Sequence, residues 1–128
     1  MNALVVDRDW AVRDALKRHL ERSGYTVMTA ENAEEAVNLC TAREVALLVT
    51  SADLPEMTGF ELADRVRRGR RDLDTACIVL LERDPAFAGF LGRRSGKVER
   101  LVKPVTAAGL RACLRRLKRE VASEFTDV

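Results

Sequence analysis

At 128 residues the chain has the size of one domain and is long enough to bury a real core. Its 47% apolar and 33% charged residues exclude an intrinsically disordered chain. A formal net charge of +2 excludes strong bulk attraction to nucleic acid or an acidic membrane, and no apolar run approaches the ~18 residues of a membrane span. The amino terminus enters an apolar strand without a charged leader, so no signal peptide is expected. Cys40, Cys77 and Cys113 are odd in number and far apart, each inside an apolar-periodic segment. They are expected to be buried free thiols in a reducing cytoplasm, with no disulfide and no metal.

In chain order, Leu4-Val5-Val6 reads as a strand. Trp10 to Ser23 reads as a helix with Val12, Ala15, Leu16 and Leu20 on one face, and Gly24 sits where a helix end takes a left-handed residue. Tyr25 to Thr29 alternates as a second strand. Asn32 and Glu35 form a capping box for a helix that buries Ala33, Ala36, Val37 and Cys40. Val45 to Val49 is a continuous apolar run, as a strand covered on both faces requires. Thr58 and Glu61 open the next helix, which pairs Glu61 with Arg65 and Asp64 with Arg68 and ends near Gly69. Cys77 to Leu81 is a fourth strand and Arg100 to Val102 a short fifth. Between them Gly89, Gly92 and Gly96 interrupt residues 86–97, which are expected to form a short or distorted helix, or partly a loop. Thr106 caps a last helix that buries Leu110, Leu114, Leu117 and Val121. The domain is expected to cover residues 1–121, leaving 122–128 as a tail or truncated linker.

Five strands alternating with five helical segments predict an α/β fold with a parallel sheet covered on both faces. Right-handed crossovers leave few topologies, and the flavodoxin-like (βα)5 arrangement with strand order 2-1-3-4-5 is the expected one. Function then gathers at the carboxyl ends of the strands. That places Asp7 to Asp9, Thr50 to Asp53, Leu81 to Arg83 and Lys103 around one crevice.

Four motifs carry a family resemblance. Val5-Val6-Asp7 ends the first strand, and Gly24-Tyr25-x-Val27 leads into the second. Leu54-Pro55-x-Met57-x-Gly59-Phe60-Glu61-Leu62 follows the third, and Lys103-Pro104 follows the fifth. In order and spacing these resemble the receiver domains of response regulators (CheY-like) from Ala3 to about Arg119. The resemblance implies a phosphoacceptor aspartate at the third strand end, with Pro four and Gly eight residues on. Ser51 stands there instead, followed at those offsets by Pro55 and Gly59. It further implies two acids after the first strand that hold a divalent cation. Asp7 matches the first, and Arg8 stands in place of the second. Leu81 or Glu82 replaces the hydroxyl that senses phosphate, Arg100 replaces a switch aromatic, and Lys103 and Pro104 are retained, usually joined by a cis peptide. A serine hydroxyl without a base is a poor substitute for a carboxylate nucleophile. Arg8 and Lys103 set against Asp7, before Asp9 and Asp53 are counted, predict a cleft turned from anionic to cationic, which would repel Mg²⁺. Asp7 is then expected to pair with Lys103 or Arg8.

Other readings compete with this one. Asp53 offers an alternative phosphorylation site, but aligning it breaks both the Pro55 and Gly59 spacings. Asp9 offers a shifted metal ligand, yet a helix N-cap already explains it. Thr50 and Ser51 are awkward kinase targets at a strand end. His19 reads as a mid-helix amphipathic residue, and Trp10 as packing or a cover for the crevice mouth. Arginines and lysines cluster around the third helix (Arg65, Arg67, Arg68, Arg70, Arg71), over residues 93–100 (Arg93, Arg94, Lys97, Arg100) and on the last helix (Arg111, Arg115, Arg116, Lys118, Arg119). Such runs solvate helix faces or steer an acidic partner. Direct nucleic-acid binding is not expected without a recognition helix or stacking platform. No catalytic elbow, phosphate loop or ligand cluster marks an enzyme.

The expectation is therefore an atypical receiver that signals by phosphorylation-independent protein–protein contact. It would bind no Mg²⁺ or other cofactor and would sit in the cytoplasm. By the resemblance, the interaction face comprises Arg94, Arg100, Arg111, Arg115 and Arg119, and a homodimer through the last helices is one form it could take. The alternative is a conventional Mg²⁺-dependent phosphoacceptor using Asp53 or a shifted acidic site, for example as the first module of a transcription regulator.

Overall fold

The computed structural model describes residues 1–68, 75–82 and 98–126, with the side chains of the last helix as far as Leu117. Its elements are β1 (Asn2–Val6), α1 (Trp10–Arg22), β2 (Thr26–Ala30), α2 (Ala33–Ala42), β3 (Leu47–Ser51), α3 (Gly59–Arg68), β4 (Ala76–Leu81), β5 (Val98–Val102) and α4 (Ala107–Thr126). The five strands are parallel in the order β2-β1-β3-β4-β5, the flavodoxin-like topology. The expected helix end near Gly69, Arg70 and Arg71, the glycine-interrupted residues 86–97, Arg83, Arg93, Arg94 and Lys97 lie outside the described residues. So do the side chains of Lys118, Arg119 and Val121.

Alternation along each strand divides the core in two. Leu4, Val6, Leu48 and Cys77 pack with α2 and α3 on one side. Ala3, Val5, Val49 and Leu80 pack with Leu16 and Leu20 of α1 and Leu110, Leu114 and Leu117 of α4 on the other. Both layers explain why β1, β3 and β4 read as unbroken apolar runs. Cys40, Cys77 and Cys113 are buried and free, as expected.

Each expected helix start carries its cap. Asp9 Oδ1 accepts from Ala11 N at 2.9 Å, Asn32 Oδ1 from Glu35 N at 2.8 Å, Thr58 Oγ1 from Glu61 N at 3.1 Å and Thr106 Oγ1 from Gly109 N at 3.0 Å. Gly24 takes φ 97°, the left-handed conformation that only glycine adopts without strain.

Several details differ from expectation, among them β5, which begins at Val98 and not at Arg100. β3 lies two residues further on than the apolar run suggested, because Leu47 to Thr50 take their register from β1. Asp64 pairs with Arg68 at 3.1 Å, whereas Glu61 and Arg65 form no ion pair among the described residues. The last helix continues to Thr126, beyond Val121, the last of its expected buried positions, since residues 122–126 carry no proline or glycine to stop it. Arg116 is no solvated helix cation. Its Nε pairs with Glu99 Oε1, a carboxylate only 2% exposed on β5, and its Nη2 lies 3.1 Å from Cys113 Sγ.

Candidate functional site

The carboxyl ends of β1, β3, β4 and β5 surround a crevice of about 380 Å³, lined by Asp7, Arg8, Asp9, Val12, Ser51, Asp53, Glu82 and Lys103. The strand alternation decides who points there. Asp7, Ser51, Glu82 and Lys103 continue the phase of Val5, Val49, Leu80 and Leu101, the row facing α1 and α4. Leu81 falls in the opposite phase, with Cys77, and is buried instead of lining the crevice. Of Leu81 and Glu82, the two residues left open by the sequence, Glu82 is the one that lines the crevice.

Ser51 is the last residue of β3 and only 2% exposed. Its Oγ accepts from Asp53 N at 3.3 Å and donates to Asp53 O at a long 3.5 Å, so it serves the turn that follows. That turn is closed by Gly59 N donating to Ala52 O at 2.9 Å and by the bridge of Asp53 with Thr58. A Cβ on Gly59 would come within 2.2 Å of the Ser51 carbonyl oxygen. The eight-residue spacing from Ser51 to Gly59 therefore records a close backbone approach that a side chain cannot share.

Lys103 is held at the β5 end by its N–H donating to Leu81 O at 2.8 Å, and it joins Pro104 through a cis peptide. Its Nζ donates to Glu82 Oε1 at 3.0 Å and lies 2.9 Å from Asp7 Oδ2. The aligned hydrogen bond goes to Glu82. Asp7 Oδ2, buried and without a hydrogen-bond donor of its own, is compensated by the ammonium charge. Burial alone would lower the pKa of Lys103, but the adjoining carboxylates of Asp7 and Glu82 outweigh it and raise the pKa above its ordinary value. Asp7 Oδ1 accepts from Asp9 N at 2.9 Å. Asp7 thus pairs with Lys103, one of the two partners expected for it, and not with Arg8.

Arg8 is exposed and, among the described residues, joins no ion pair. The crevice lining counts four carboxylates (Asp7, Asp9, Asp53, Glu82) against two cations (Arg8, Lys103). The expected reversal to a cationic cleft is therefore corrected. Asp9 and Asp53, left out of the sequence-level charge balance, already give the lining an anionic excess, and Glu82 adds to it from the end of β4. Among the described residues no group of three or more His, Cys, Asp or Glu side chains is arranged to hold a metal ion.

The sequence reading missed Arg13. Its Nη1 donates to Asp7 O at 2.7 Å and Arg8 O at 3.1 Å, bracing the β1–α1 loop from the first turn of α1. Its place four residues after the Asp9 cap was the available signal. Trp10, 69% exposed, does not line the crevice. His19 is half-buried in a groove of about 480 Å³ between α1 and Pro104-Val105.

Three residues of the expected interaction face fall among the described side chains. Arg100 lies on the α3 side of the sheet, its guanidinium 5.4 Å from the Phe60 ring centroid. Arg111 and Arg115 belong to α4 on the other side, beside Met1 and Ser23 to Tyr25. Strand alternation separates them: Arg100 is in phase with Val98, not with Leu101. Arg94 and the Arg119 side chain lie outside the described residues.

A five-stranded sheet of this order, with an acid after β1, a tight turn after β3 and Lys-Pro after β5, is the arrangement of a receiver domain. The response regulator receiver domain family matches residues 3–115, and the chain belongs to that family. It is 34% identical over 137 residues to response regulator MprA of Mycobacterium avium (strain 104), covering 100% of this chain and 59% of that protein. To the transcriptional regulatory protein AfsQ1 of Streptomyces coelicolor it is 36% identical over 125 residues, covering 97% and 54%. The chain thus spans little more than half the length of these relatives. Among solved structures, the chemotaxis protein CheY4 of Vibrio cholerae superposes with a TM-score of 0.80 at 27% identity, covering 91% of this chain and 97% of that one. The signal receiver domain of an HD domain-containing protein from Pseudomonas fluorescens Pf-5 gives 0.78 at 28% identity, covering 96% and 90%. Receiver domains are signalling modules of two-component systems. No helix among the described residues is long and apolar enough to cross a membrane.

Proposed function

We propose that this chain is an atypical receiver that signals by protein–protein contact, without accepting a phosphoryl group at position 51 and without a working Mg²⁺ site. The observation that carries the reading is Ser51, buried at the end of β3 in the acceptor register that Gly59 fixes by contact. Its hydroxyl is hydrogen-bonded to the Asp53 backbone and has no carboxylate or imidazole as a base in hydrogen-bond contact among the described residues.

The metal reading follows from the donor set. Asp7 Oδ1 accepts from Asp9 N, and Asp7 Oδ2 faces an ammonium at 2.9 Å. Asp9 Oδ1 caps α1. Arg8 stands where a second acid is expected, and Ser51 brings a neutral oxygen. A hard divalent cation needs several converging free oxygens, and these residues do not fit one. Lys103 supplies the positive charge that Asp7 needs, so β1, β4 and β5 are tied by a fixed internal cation. The buried free thiols fit a reducing cytoplasm.

Incubation with acetyl phosphate and Mg²⁺, followed by intact-mass measurement, tests the proposal. No phosphoryl mass is expected, and beryllofluoride with Mg²⁺ leaves the amide spectrum unmoved. A phosphoryl adduct lost on Asp53→Asn would establish the alternative, a phosphoacceptor using the carboxylate two residues beyond Ser51.

A further inference from the structure

The crevice is not the only concave surface with unbalanced charge. At the opposite end of the sheet a hollow of about 320 Å³ lies between α4, the turn from α1 to β2, and Met1. Arg111 and Arg115 line it, with Leu114, Tyr25 and Gly24. No aspartate or glutamate is among its lining residues, whereas the crevice and the groove beside Pro104 both contain Glu82 facing Lys103.

The two arginines differ from their neighbours. Arg116 is spent on Glu99, Arg18 on Asp14 at 3.1 Å, Arg68 on Asp64, and Arg13 on two carbonyls. Arg111 and Arg115 are exposed and have no ion-pair partner among the described residues. They stand one helical turn apart, about 6 Å along the axis of α4. Guanidinium forks at that spacing match carboxylates presented at the same interval. Beside them Leu114 and half-buried Tyr25 give an apolar floor, and Met1, a residue 78% exposed, gives an apolar wall. Charge of one sign next to apolar surface suits a ligand that is anionic and apolar on one face.

The geometry points to this hollow as the docking site for an acidic amphipathic helix of a partner protein, with carboxylates one turn apart meeting Arg111 and Arg115 and an apolar side chain covering Leu114 and Tyr25. This names a partner class for the contact-driven receiver proposed above and rests on that reading. The two fail separately: a phosphoryl adduct would overturn the earlier reading and leave binding at the hollow unaffected.

The probe is a capped synthetic helical peptide with Glu at positions i and i+4 and Leu at i+3 and i+7, titrated into the ¹⁵N-labelled chain. Amides of Ser23 to Tyr25 and of residues 111–115 are expected to shift. Affinity should fall at least tenfold with Gln in place of Glu in the peptide, at least tenfold in R111E/R115E, and progressively with added salt. R115A checks the result with a milder change, and circular dichroism confirms that both variants keep the fold. The proposal is overturned if those amides do not move, if the Gln peptide binds equally well, or if R111E/R115E binds as the parent does. It is also overturned if a single-stranded oligonucleotide shows the arginine dependence and the peptide does not, or if the hollow is filled by a second copy of the chain on concentration alone.

Discussion

A single atom too many at position 59 would disturb the site more than most changes within it. Gly59→Ala puts a Cβ within 2.2 Å of the Ser51 carbonyl oxygen, and backbone cannot yield there without moving the end of β3. The variant is expected to lose about 2 kcal/mol or more, read as a lowered urea midpoint. The Lys103 clasp makes a second comparison. Asp7 is buried, and its removal takes a partner from Lys103 and an acceptor from Asp9 N–H. Asp7→Ala should cost about 3 kcal/mol. The Glu82 side chain is 65% exposed, so solvent screens its share of the clasp, and Glu82→Gln should cost under about 1 kcal/mol. Equal losses in chemical denaturation would show that the clasp is not divided in this way. At this scale Asp7, Ser51 and Lys103 were legible through strand-end position alone. The part played by Glu82 was not, because a shift of one residue along β4 sends a side chain to the other face of the sheet.

Among the elements, the contact between β5 and α4 carries an ion pair that helix periodicity could not reveal. Arg115 and Arg116 are adjacent in the same charge run, yet Arg115 is exposed and unpaired among the described residues while Arg116 reaches a buried carboxylate on β5. Arg116→Ala is expected to cost about 2 kcal/mol and Arg115→Ala less than about 0.5 kcal/mol. Thermal melts of the two variants side by side would expose the difference, and matching melting temperatures would contradict it. The caps were legible from residue type and spacing, since Asp9, Asn32, Thr58 and Thr106 act on backbone groups two or three residues away. The Glu61–Arg65 pair was read from spacing in the same way and does not form. Helical spacing permits such a contact without requiring it, and an exposed pair has little energy with which to hold two long side chains.

For the whole molecule, the buried ionisable groups set a direction with pH. Burial pushes the Cys77 thiol up to about 12, and burial raises Tyr25 as well; Lys103 is raised by Asp7 and Glu82 against the cost of burial. For each, the folded pKa exceeds the unfolded value. Their contributions are therefore complete below the unfolded pKa values, which begin at ~8.5 for a thiol, and are lost as pH climbs through the folded ones. Cys77 alone accounts for on the order of 4 kcal/mol between about pH 9 and pH 12. Urea midpoints should hold steady to about pH 8.5 and then decline, less steeply in Cys77→Val; a midpoint that rose with alkali would refute the assignment. The sequence by itself determined the fold class, the strand order, the caps and the position of Ser51, because periodicity, turn chemistry and fixed offsets are local properties of the chain. Only the tertiary structure decided that Glu82 and not Leu81 faces the crevice, that Lys103 bridges two carboxylates, that Arg116 is bound and that Arg100 lies across the sheet from Arg111 and Arg115. Those outcomes depend on register and strand phase between segments tens of residues apart, which no short-range pattern encodes.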